Sequence, residues 1–369
     1  MKKTDIYGTI GPACGNQETL TEMFRLGMTG MRLNLSHTEL EECREWTNLM
    51  KESAHSAGKQ SKLLIDLKGP ELRIGSLNAP IQLSEEGNVY LKREKENFSS
   101  FGRNVHAAEE KESILLSKRE NICLREESIP LPAEIFTHLE KAQEVLLDDG
   151  KIQLEITEIT EEKALCRVIR GGTLNSRKSI ALPGISLQLP VLTESDRRNI
   201  RKAKEHGVSG VMLPFVRSGG DLKLLRQELV QNHAEELQIF AKIENMEGVK
   251  NLEDILPYAD QIVIARGDLG NSMPLWELPA VQAEIAEKCK KAEKPFMVVT
   301  QMLASMERCA VPTRAEVSDI FRAVAEGAAS VMVTGETALG NYPEQVIRYL
   351  VNTVKSAEDY LIHSIKNNG

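Results

Sequence analysis

The chain has 369 residues, 41% of them hydrophobic, and a formal net charge of −8. This length is enough for one large domain, or for one domain that carries a second, and the composition is that of a globular protein with a sizeable core. The acidic balance argues against a nucleic-acid or anionic-membrane surface, because nothing would offset repulsion from phosphate groups. An anionic ligand would therefore need a local basic cluster.

The six cysteines form no Cys-x-x-Cys pair, and Met1-Lys2-Lys3 leads into the chain without an apolar secretory segment. No apolar stretch approaches the length of a transmembrane helix. We therefore expect reduced thiols, a cytoplasmic location and no membrane or nucleic-acid partner.

Short apolar runs alternate with helical patterns along the chain. The runs predict strands at residues 6–10, 30–36, 63–67, 210–216, 238–243, 261–265, 295–300 and 330–334. The helical patterns cover residues 17–26, 39–57, 194–206, 222–233, 249–258, 278–291, 315–326 and 343–366. Apolar strands that alternate with helices indicate a parallel sheet covered by helices, and eight such units close into a (β/α)8 TIM barrel of the α/β class.

The alternation is interrupted once, after the third predicted strand. Residues 74–178 are too many for a loop, and polar and apolar residues alternate within them, as in residues 151–156. We interpret this segment as a small β-rich domain inserted after strand 3, with the barrel formed by residues 1–73 and 179–369. A domain at the carboxyl end of a barrel strand is well placed to act as a lid.

Charged residues accumulate in two strand-like runs, 239–245 and 261–270, which contain Lys242, Glu244, Arg266 and Asp268. Mg²⁺ typically takes one or two protein carboxylates together with substrate oxygens and water. Glu244 and Asp268 would come close if their strands are neighbours, and Lys242 could balance charge on a phosphoryl group. Arg266 is expected to brace the end of its strand rather than touch substrate.

Other predicted strands carry polar residues at the same end. Arg32, Asn34 and Ser36 are spaced by two and so share one face of their strand, and Asp66 ends the next strand. The last two strands offer Thr300 and Thr334. So many polar groups at the carboxyl ends of barrel strands indicate an active site.

Eight short runs, in this order and spread over nearly the whole chain, also carry a family resemblance. They are Thr9-Ile10-Gly11-Pro12-Ala13, Arg32-Leu33-Asn34-Leu35-Ser36-His37, Asp66-Leu67-Lys68-Gly69-Pro70-Glu71-Leu72-Arg73, Lys242-Ile243-Glu244-Asn245, Ala265-Arg266-Gly267-Asp268-Leu269-Gly270, Thr300-Gln301-Met302-Leu303, Pro312-Thr313-Arg314-Ala315-Glu316 and Gly335-Glu336-Thr337-Ala338. By these runs, which together are highly specific, the chain resembles the pyruvate kinase family.

The resemblance implies a phosphoryl transfer from phosphoenolpyruvate to ADP, which gives ATP and, after protonation of the enolate at carbon, pyruvate. It implies that Glu244 and Asp268 hold Mg²⁺ or Mn²⁺. The catalytic residues that it implies are Lys242, Arg32, Thr300 and Thr334, and the substrate-binding residues are Gly267, Asp268, Thr300 and Phe215. It further implies nucleotide contacts from Asn34, Arg73, Lys178 and His37, and a site for K⁺, as an optional second cation, at Asn34, Ser36, Asp66 and Leu67.

The sequence departs from the family pattern in several places. The chain ends about one helix after the last predicted strand, where the family continues into a C-terminal domain. We therefore expect neither regulation by sugar phosphates nor a tetramer through that domain; a homodimer through the barrel is compatible with the resemblance. Glu42 replaces an aromatic residue near the base, and Thr38 replaces a glycine. Glu71 resembles K⁺-dependent members and Leu67 resembles independent ones, which leaves K⁺ dependence open.

Two alternatives to a phosphotransferase stay open from the sequence. The same metal site could stabilise an enolate without phosphoryl transfer, as in a decarboxylase or lyase that acts on an oxaloacetate-like or phosphoenolpyruvate-like substrate. The chain could instead be a non-catalytic paralogue, although the residues expected to bind metal and phosphoryl group are all present.

Overall fold

The structure is a computed structural model that describes residues 3–36, 38–60, 62–70, 72–94, 128–148, 150–183 and 189–367. Contacts divide the chain into two compact units. The barrel unit comprises Met1–Glu71 and Ser186–Gly369, and the inserted unit comprises Leu72–Ile185.

The first part of the barrel unit alternates strands and helices as predicted. Its elements are β1 (Asp5–Thr9), α1 (Gln17–Leu26), β2 (Gly30–Asn34), a 3-10 turn (Leu40–Cys43), α2 (Arg44–Ser56) and β3 (Lys62–Asp66).

The inserted unit is rich in β-strands, and its own apolar core lies around Val89, Leu154 and Cys166. Its elements are β4 (Ile81–Leu83), β5 (Asn88–Arg93), β6 (Ser128–Leu131), α3 (Ala133–Phe136), β7 (Glu144–Leu147), β8 (Ile152–Ile159), β9 (Lys163–Arg170), β10 (Gly172–Leu174) and β11 (Ile180–Ala181). Six of these strands form one sheet in the order β11-β7-β8-β9-β5-β6, and β4 pairs with β10.

The barrel unit resumes after the insertion and completes the alternation. Its strands are β12 (Gly210–Leu213), β13 (Gln238–Ile243), β14 (Gln261–Ala265), β15 (Phe296–Val299) and β16 (Ser330–Met332). Its helices are α4 (Glu194–Ala203), α5 (Gly219–Gln231), α6 (Met246–Lys250), α7 (Leu252–Ile255), α8 (Arg266–Asn271), α9 (Leu278–Lys291), α10 (Arg314–Ala325), α11 (Gly335–Ala338) and α12 (Pro343–Asn367), with 3-10 turns at Leu256–Tyr258, Leu275–Glu277 and Ala304–Glu307.

Eight parallel strands close into a barrel in the order β1-β2-β3-β12-β13-β14-β15-β16, and β16 pairs back with β1. This confirms the predicted (β/α)8 barrel. Apolar side chains fill the space inside it, among them Tyr7, Met212, Phe240 and Met297. The barrel is therefore a packed core, and ligand chemistry is confined to its ends.

The strand ends differ from the prediction in a consistent way. Ser36, Thr300 and Thr334 were expected within strands but lie in the turns that follow β2, β15 and β16. The predicted strand-like run 261–270 is also wrong in its second half, because α8 begins at Arg266. The reason is that the polar residues leave the ladder to form short turns, where their side chains and backbone N–H groups are available for other contacts.

A threonine followed three positions later by an acidic residue predicts a helix start, and two helices begin in this way. Thr193 caps α4 and Thr313 caps α10, and each forms a reciprocal capping box with the acidic residue three positions later. Among the helices that the structure describes, none is long and apolar enough to cross a bilayer.

Candidate active site

Strands β2 and β3 bring Arg32 and Asp66 together. Their register pairs Asn34 with Asp66, and Arg32 lies two residues before Asn34 on the same face. Arg32 Nε donates to Asp66 Oδ2 at 2.8 Å, and Nη2 lies 2.7 Å from the same oxygen. The Asp66 side chain is only 3% exposed. An ion pair so shielded from water is held in one geometry.

Lys242, on β13, joins this pair to Glu244. Its Nζ lies 3.2 Å from both carboxylate oxygens of Asp66 and 2.9 Å from Oε1 of Glu244. The four side chains Arg32, Asp66, Lys242 and Glu244 form what we call the barrel-end cluster. It contains two positive and two negative charges, so its net charge is zero.

The pKa values of Lys242 and Asp66 in this cluster are shifted by burial and by the charges around them. Burial alone would lower the pKa of the Lys242 ammonium, but the carboxylates of Asp66 and Glu244 outweigh that cost and raise the pKa above its ordinary value. Burial would likewise raise the pKa of Asp66, but Lys242 and Arg32 hold it below its usual range. At neutral pH Lys242 is therefore a fixed cation that does not give up its proton readily.

Glu244 is held from a second side by the turn after β12. Its Oε2 accepts the Phe215 N–H at 2.9 Å, and its side chain is 1% exposed. Phe215 has φ +52, in the left-handed region that a side chain of its size seldom occupies. Such a conformation persists only where surrounding contacts enforce it, which is typical of functional sites.

Gly267 and Thr300 meet at the ends of β14 and β15. A Cβ atom on Gly267 would lie 3.1 Å from Thr300 Cγ2, so the backbone of α8 approaches Thr300 closely. Thr300 itself has φ +79. Its carbonyl oxygen accepts from Arg266 Nη2 at 2.8 Å, and Arg266 Nη1 reaches Asp319 at 2.6 Å. These contacts are those of the brace expected for Arg266.

Asp268 lies in the first turn of α8, and its charge contributes to the raised pKa of Lys242. Within the described residues, no three His, Cys, Asp or Glu side chains are grouped to hold a metal ion. A magnesium ion can nevertheless be held by two carboxylates when substrate oxygens and water supply its other ligands. The carboxylates of Glu244 and Asp268 fit that requirement in donor type.

Thr334 lies in the turn between β16 and α11, where Glu336 holds it. The Thr334 N–H and hydroxyl donate to Glu336 Oε2 at 2.6 and 3.2 Å, and Leu303 N–H donates to Oε1 at 3.2 Å. Glu336 is 1% exposed. Its carboxylate therefore links the turn after β15 to the turn after β16.

The residues expected at a monovalent-cation site are neighbours. Asn34 and Asp66 are paired in the β2–β3 register, and Leu67 follows Asp66. The Ser36 hydroxyl donates to Asn34 Oδ1 at 2.9 Å. The atoms expected to bind the cation are all oxygens, the ligand type suited to hard cations.

The inserted unit holds Arg73 and Lys178, two residues expected to contact nucleotide. Lys178 Nζ lies 2.7 Å from Asp148 Oδ1, and Lys151 Nζ lies 3.3 Å from Asp148 Oδ2. Arg73 Nη1 donates to the Arg177 carbonyl at 2.8 Å. We call Asp148, Lys151 and Lys178 the inserted-unit cluster; its lysines are 67% and 35% exposed, respectively.

Thr38 and Glu42, the two residues that differ from the family pattern near the expected nucleotide base, contact each other. The Thr38 hydroxyl donates to Glu42 Oε2 at 2.8 Å, and the Glu39 N–H donates to the same oxygen at 3.2 Å. These hydrogen bonds lower the pKa of Glu42, which therefore stays ionised. His37, the remaining residue expected at the nucleotide, lies outside the described residues.

Sequence reasoning gave no role at the site to two buried carboxylates, Asp196 and Glu336. In the sequence Asp196 stands at capping-box spacing after Thr193, and Glu336 lies in the Gly335-Glu336-Thr337-Ala338 run. Their contacts with Gly69 and Leu303 join segments far apart in the chain. The one signal in the sequence was that each acidic residue stands two or three positions after a threonine, Thr193 or Thr334.

Comparison with known proteins identifies the family. A sequence model described as the pyruvate kinase barrel domain matches residues 1–347. The chain is 36% identical to a pyruvate kinase of Bacillus licheniformis over 98% of its own length and 58% of the relative's. It is 36% identical to one of Staphylococcus epidermidis over 97% and 57%, and 34% identical to one of Geobacillus stearothermophilus over 98% and 58%. The chain thus spans somewhat more than half the length of these relatives, and it belongs to the pyruvate kinase family.

Proposed function

We propose that this chain transfers a phosphoryl group between phosphoenolpyruvate and ADP, giving pyruvate and ATP. The observation that carries this proposal is the barrel-end cluster, in which a buried lysine and arginine are fixed by carboxylates at the carboxyl end of the barrel. Phosphoryl transfer requires in-line positioning and charge neutralisation more than covalent help. Cations already held in place provide both without reorganisation.

Lys242 and Arg32 are the groups proposed to contact the phosphoryl oxygens. An ammonium group has three N–H donors, and one directed at each of Asp66 and Glu244 leaves a third for a ligand oxygen. Since the pKa of Lys242 is raised, it stays charged and stabilises the enolate oxygen after transfer. Its proton is therefore a poor source for the enolate carbon, and the Thr334 hydroxyl is the proposed end of a proton relay.

Glu244 and Asp268 are proposed to hold Mg²⁺ or Mn²⁺, which when bound would polarise substrate oxygens and offset their negative charge. The backbone of Gly267 and Asp268, with Thr300, is proposed to bind the substrate carboxylate, because N–H groups in the first turn of a helix lack partners within the helix. Phe215 contributes by holding Glu244 through its N–H.

Asn34, Ser36, Asp66 and the Leu67 carbonyl are proposed as the ligands of an optional K⁺. The nucleotide phosphates are proposed to contact Arg73 and Lys178, together with Asn34 and His37. Residues 74–178 are proposed as a domain that excludes water from the transferring group. A homodimer through the barrel is the proposed assembly, and the cytoplasm the proposed location.

The test is a coupled assay for pyruvate from phosphoenolpyruvate, run with several nucleoside diphosphates, with Mg²⁺ or Mn²⁺, and with or without K⁺. We expect activity that requires both the nucleotide and the divalent ion. A parallel assay with oxaloacetate and no nucleotide detects the decarboxylase alternative. Absence of pyruvate under every kinase condition would refute the proposed function.

A further inference from the structure

Asp196 is a buried carboxylate that accepts four hydrogen bonds. It is 0% exposed and accepts hydrogen bonds from backbone N–H groups on both sides of the insertion. Oδ1 accepts from Lys68 N at 2.8 Å, and Oδ2 accepts from Gly69 N at 3.2 Å and from Thr193 N at 2.8 Å. The Thr193 hydroxyl adds a fourth donor at 2.7 Å.

These contacts fasten the turn that leaves β3. Gly69 has φ +58, and a Cβ atom there would lie 2.4 Å from Pro214 Cγ, so only glycine fits between the Asp196 carboxylate and the β12 turn. The turn after β3 is thus pressed against the turn after β12. Both turns belong to the barrel unit.

Both turns also lead directly to the barrel-end cluster. Asp66, which pairs with Arg32 and Lys242, lies two residues before Lys68. Phe215, whose N–H holds Glu244, follows Pro214. A shift of the first turn would therefore move Asp66, and a shift of the second would disturb the contact that holds Glu244; errors of about 1 Å in such groups can cost about 100-fold in rate.

We propose that Asp196 is a positioning residue for the proposed phosphotransferase, on which this inference rests. Its buried carboxylate fixes the turn at residues 67–69 against Pro214 and so keeps Asp66 and Phe215 in register around Lys242 and Glu244. A carboxylate suits this task because it is an acceptor only, whereas an amide would direct its NH₂ group at one of the four donors.

The test compares Asp196→Asn with Glu316→Gln. Glu316 is a matched control for amide exchange, because it closes the capping box of α10 with Thr313 and also holds the turn after β15 through the N–H and hydroxyl of Ser305. Each variant neutralises one carboxylate at the first turn of a helix. Only Asp196 is connected to the turns after β3 and β12.

Backbone amide exchange, read by mass spectrometry on peptides that cover residues 66–70 and 212–217, is the readout that needs no activity. We expect Asp196→Asn to speed exchange of both segments by about ten-fold, the effect of losing one well-made hydrogen bond. We expect kcat to fall by about 100-fold, with KM for phosphoenolpyruvate changed by no more than roughly three-fold. Glu316→Gln should leave exchange of both segments as in the wild type, because Glu316 contacts neither of them.

Gly69→Ala disturbs the same turn from its other side and should reproduce the exchange and rate changes without removing the carboxylate. Unchanged exchange of residues 66–70 in Asp196→Asn would overturn the inference, and so would faster exchange with a wild-type kcat. A wild-type protein without kinase activity would refute the proposed function. In that case the exchange of the Phe215 segment still decides whether Asp196 positions the turns.

Discussion

The barrel-end cluster and the inserted-unit cluster both pair lysine with carboxylate, but their lysines differ in their access to water. In the first, the side chains of Lys242 and Glu244 are 14% and 1% exposed. In the second, Lys178 is 35% and Lys151 is 67% exposed, although the distances to Asp148 are similar at 2.7 and 3.3 Å. Short ion-pair distances alone therefore do not distinguish a fixed charge from a mobile one.

The difference in exposure of the lysines indicates which cluster can hold a charge in a fixed position. Ions taken out of water are costly to separate, so Lys242 is locked between its carboxylates and available in one place. In the inserted-unit cluster the carboxylate of Asp148 is shielded but the lysines are exposed, so a lysine can exchange this partner for a ligand phosphate at smaller cost. On this basis the barrel-end cluster suits the reacting phosphoryl group, and the inserted-unit cluster suits capture of a nucleotide.

The largest effect is expected from Lys242→Met, which removes the cation between two buried carboxylates. We expect activity to fall by about 1,000-fold, because a fixed charge at the reacting group is lost. We also expect the free energy of unfolding at neutral pH to fall by about 3–5 kcal/mol. Pyruvate formation and urea titration measure the two effects.

Lys178→Met is the control for stability in that experiment. Because its pair is partly solvated, its free energy of unfolding should stay within about 0.5 kcal/mol of the wild type. Equal stability of the two variants would break the comparison, since it would mean that the barrel-end cluster gains nothing from its burial.

Glu244→Gln should have the next largest effect. The amide oxygen can still accept the Phe215 N–H, but the negative charge proposed to bind the metal is lost. We expect Mn²⁺ affinity, measured by electron paramagnetic resonance, to fall by roughly 100-fold. Glu253→Gln makes the same charge change at an exposed position on α7 and should bind Mn²⁺ like the wild type. Equal affinity in both variants would remove Glu244 from the metal site.

Lys178→Met should affect catalysis more selectively than either change above. We expect KM for the nucleotide to rise about ten-fold, since one phosphate contact is lost, while kcat changes by less than about three-fold. Lys151→Met is the matched control, because Lys151 pairs with the same carboxylate of Asp148. If both variants raise KM alike, the effect belongs to Asp148 and not to a contact between Lys178 and phosphate.

The smallest effect is expected from His206→Gln, measured as the pH dependence of the free energy of unfolding. His206 is a buried titratable side chain that has no carboxylate as close as those around Lys242. It is 1% exposed, and its Nδ1 lies 3.2 Å from the Thr47 hydroxyl while Nε2 lies 3.5 Å from Glu41 Oε2. Burial lowers the pKa of His206, and the positive charges of Arg44 and Lys51 act in the same direction, against the carboxylate of Glu41.

The lowered pKa of His206 decides how its contribution to the free energy of unfolding changes with pH. A histidine whose pKa is lower in the folded than in the unfolded state stabilises the fold fully above about pH 6.5, and loses this contribution as the pH falls through the folded pKa. His206→Gln should therefore flatten the fall in unfolding free energy between about pH 7 and 5. Asp66, whose pKa is lowered by its cationic partners, should lose its contribution only below about pH 4. An unchanged slope in His206→Gln would show that other groups dominate in this range.

Much of the fold could be predicted because it depends on local periodicity. Apolar strands such as 238–243 and 261–265 were predicted with the bounds that the structure has. The turns at their ends were not, since Arg266 to Asp268 follow the apolar run directly in sequence but begin a helix in the structure. Where a strand stops depends on contacts across the barrel end, such as that between Arg266 and the Thr300 carbonyl.

The candidate site likewise has features that could be predicted from the sequence and features that could not. The sequence by itself determined the barrel and the polar residues that follow its strands, because the ends of eight parallel strands in a closed barrel must converge. Only the tertiary structure decided which of these residues are partners. Asp66 and Lys242 are 176 positions apart, and Asp196 and Lys68 are 128 apart. No local pattern encodes such pairs, since barrel closure brings them together and burial then turns ordinary ion pairs and hydrogen bonds into fixed ones.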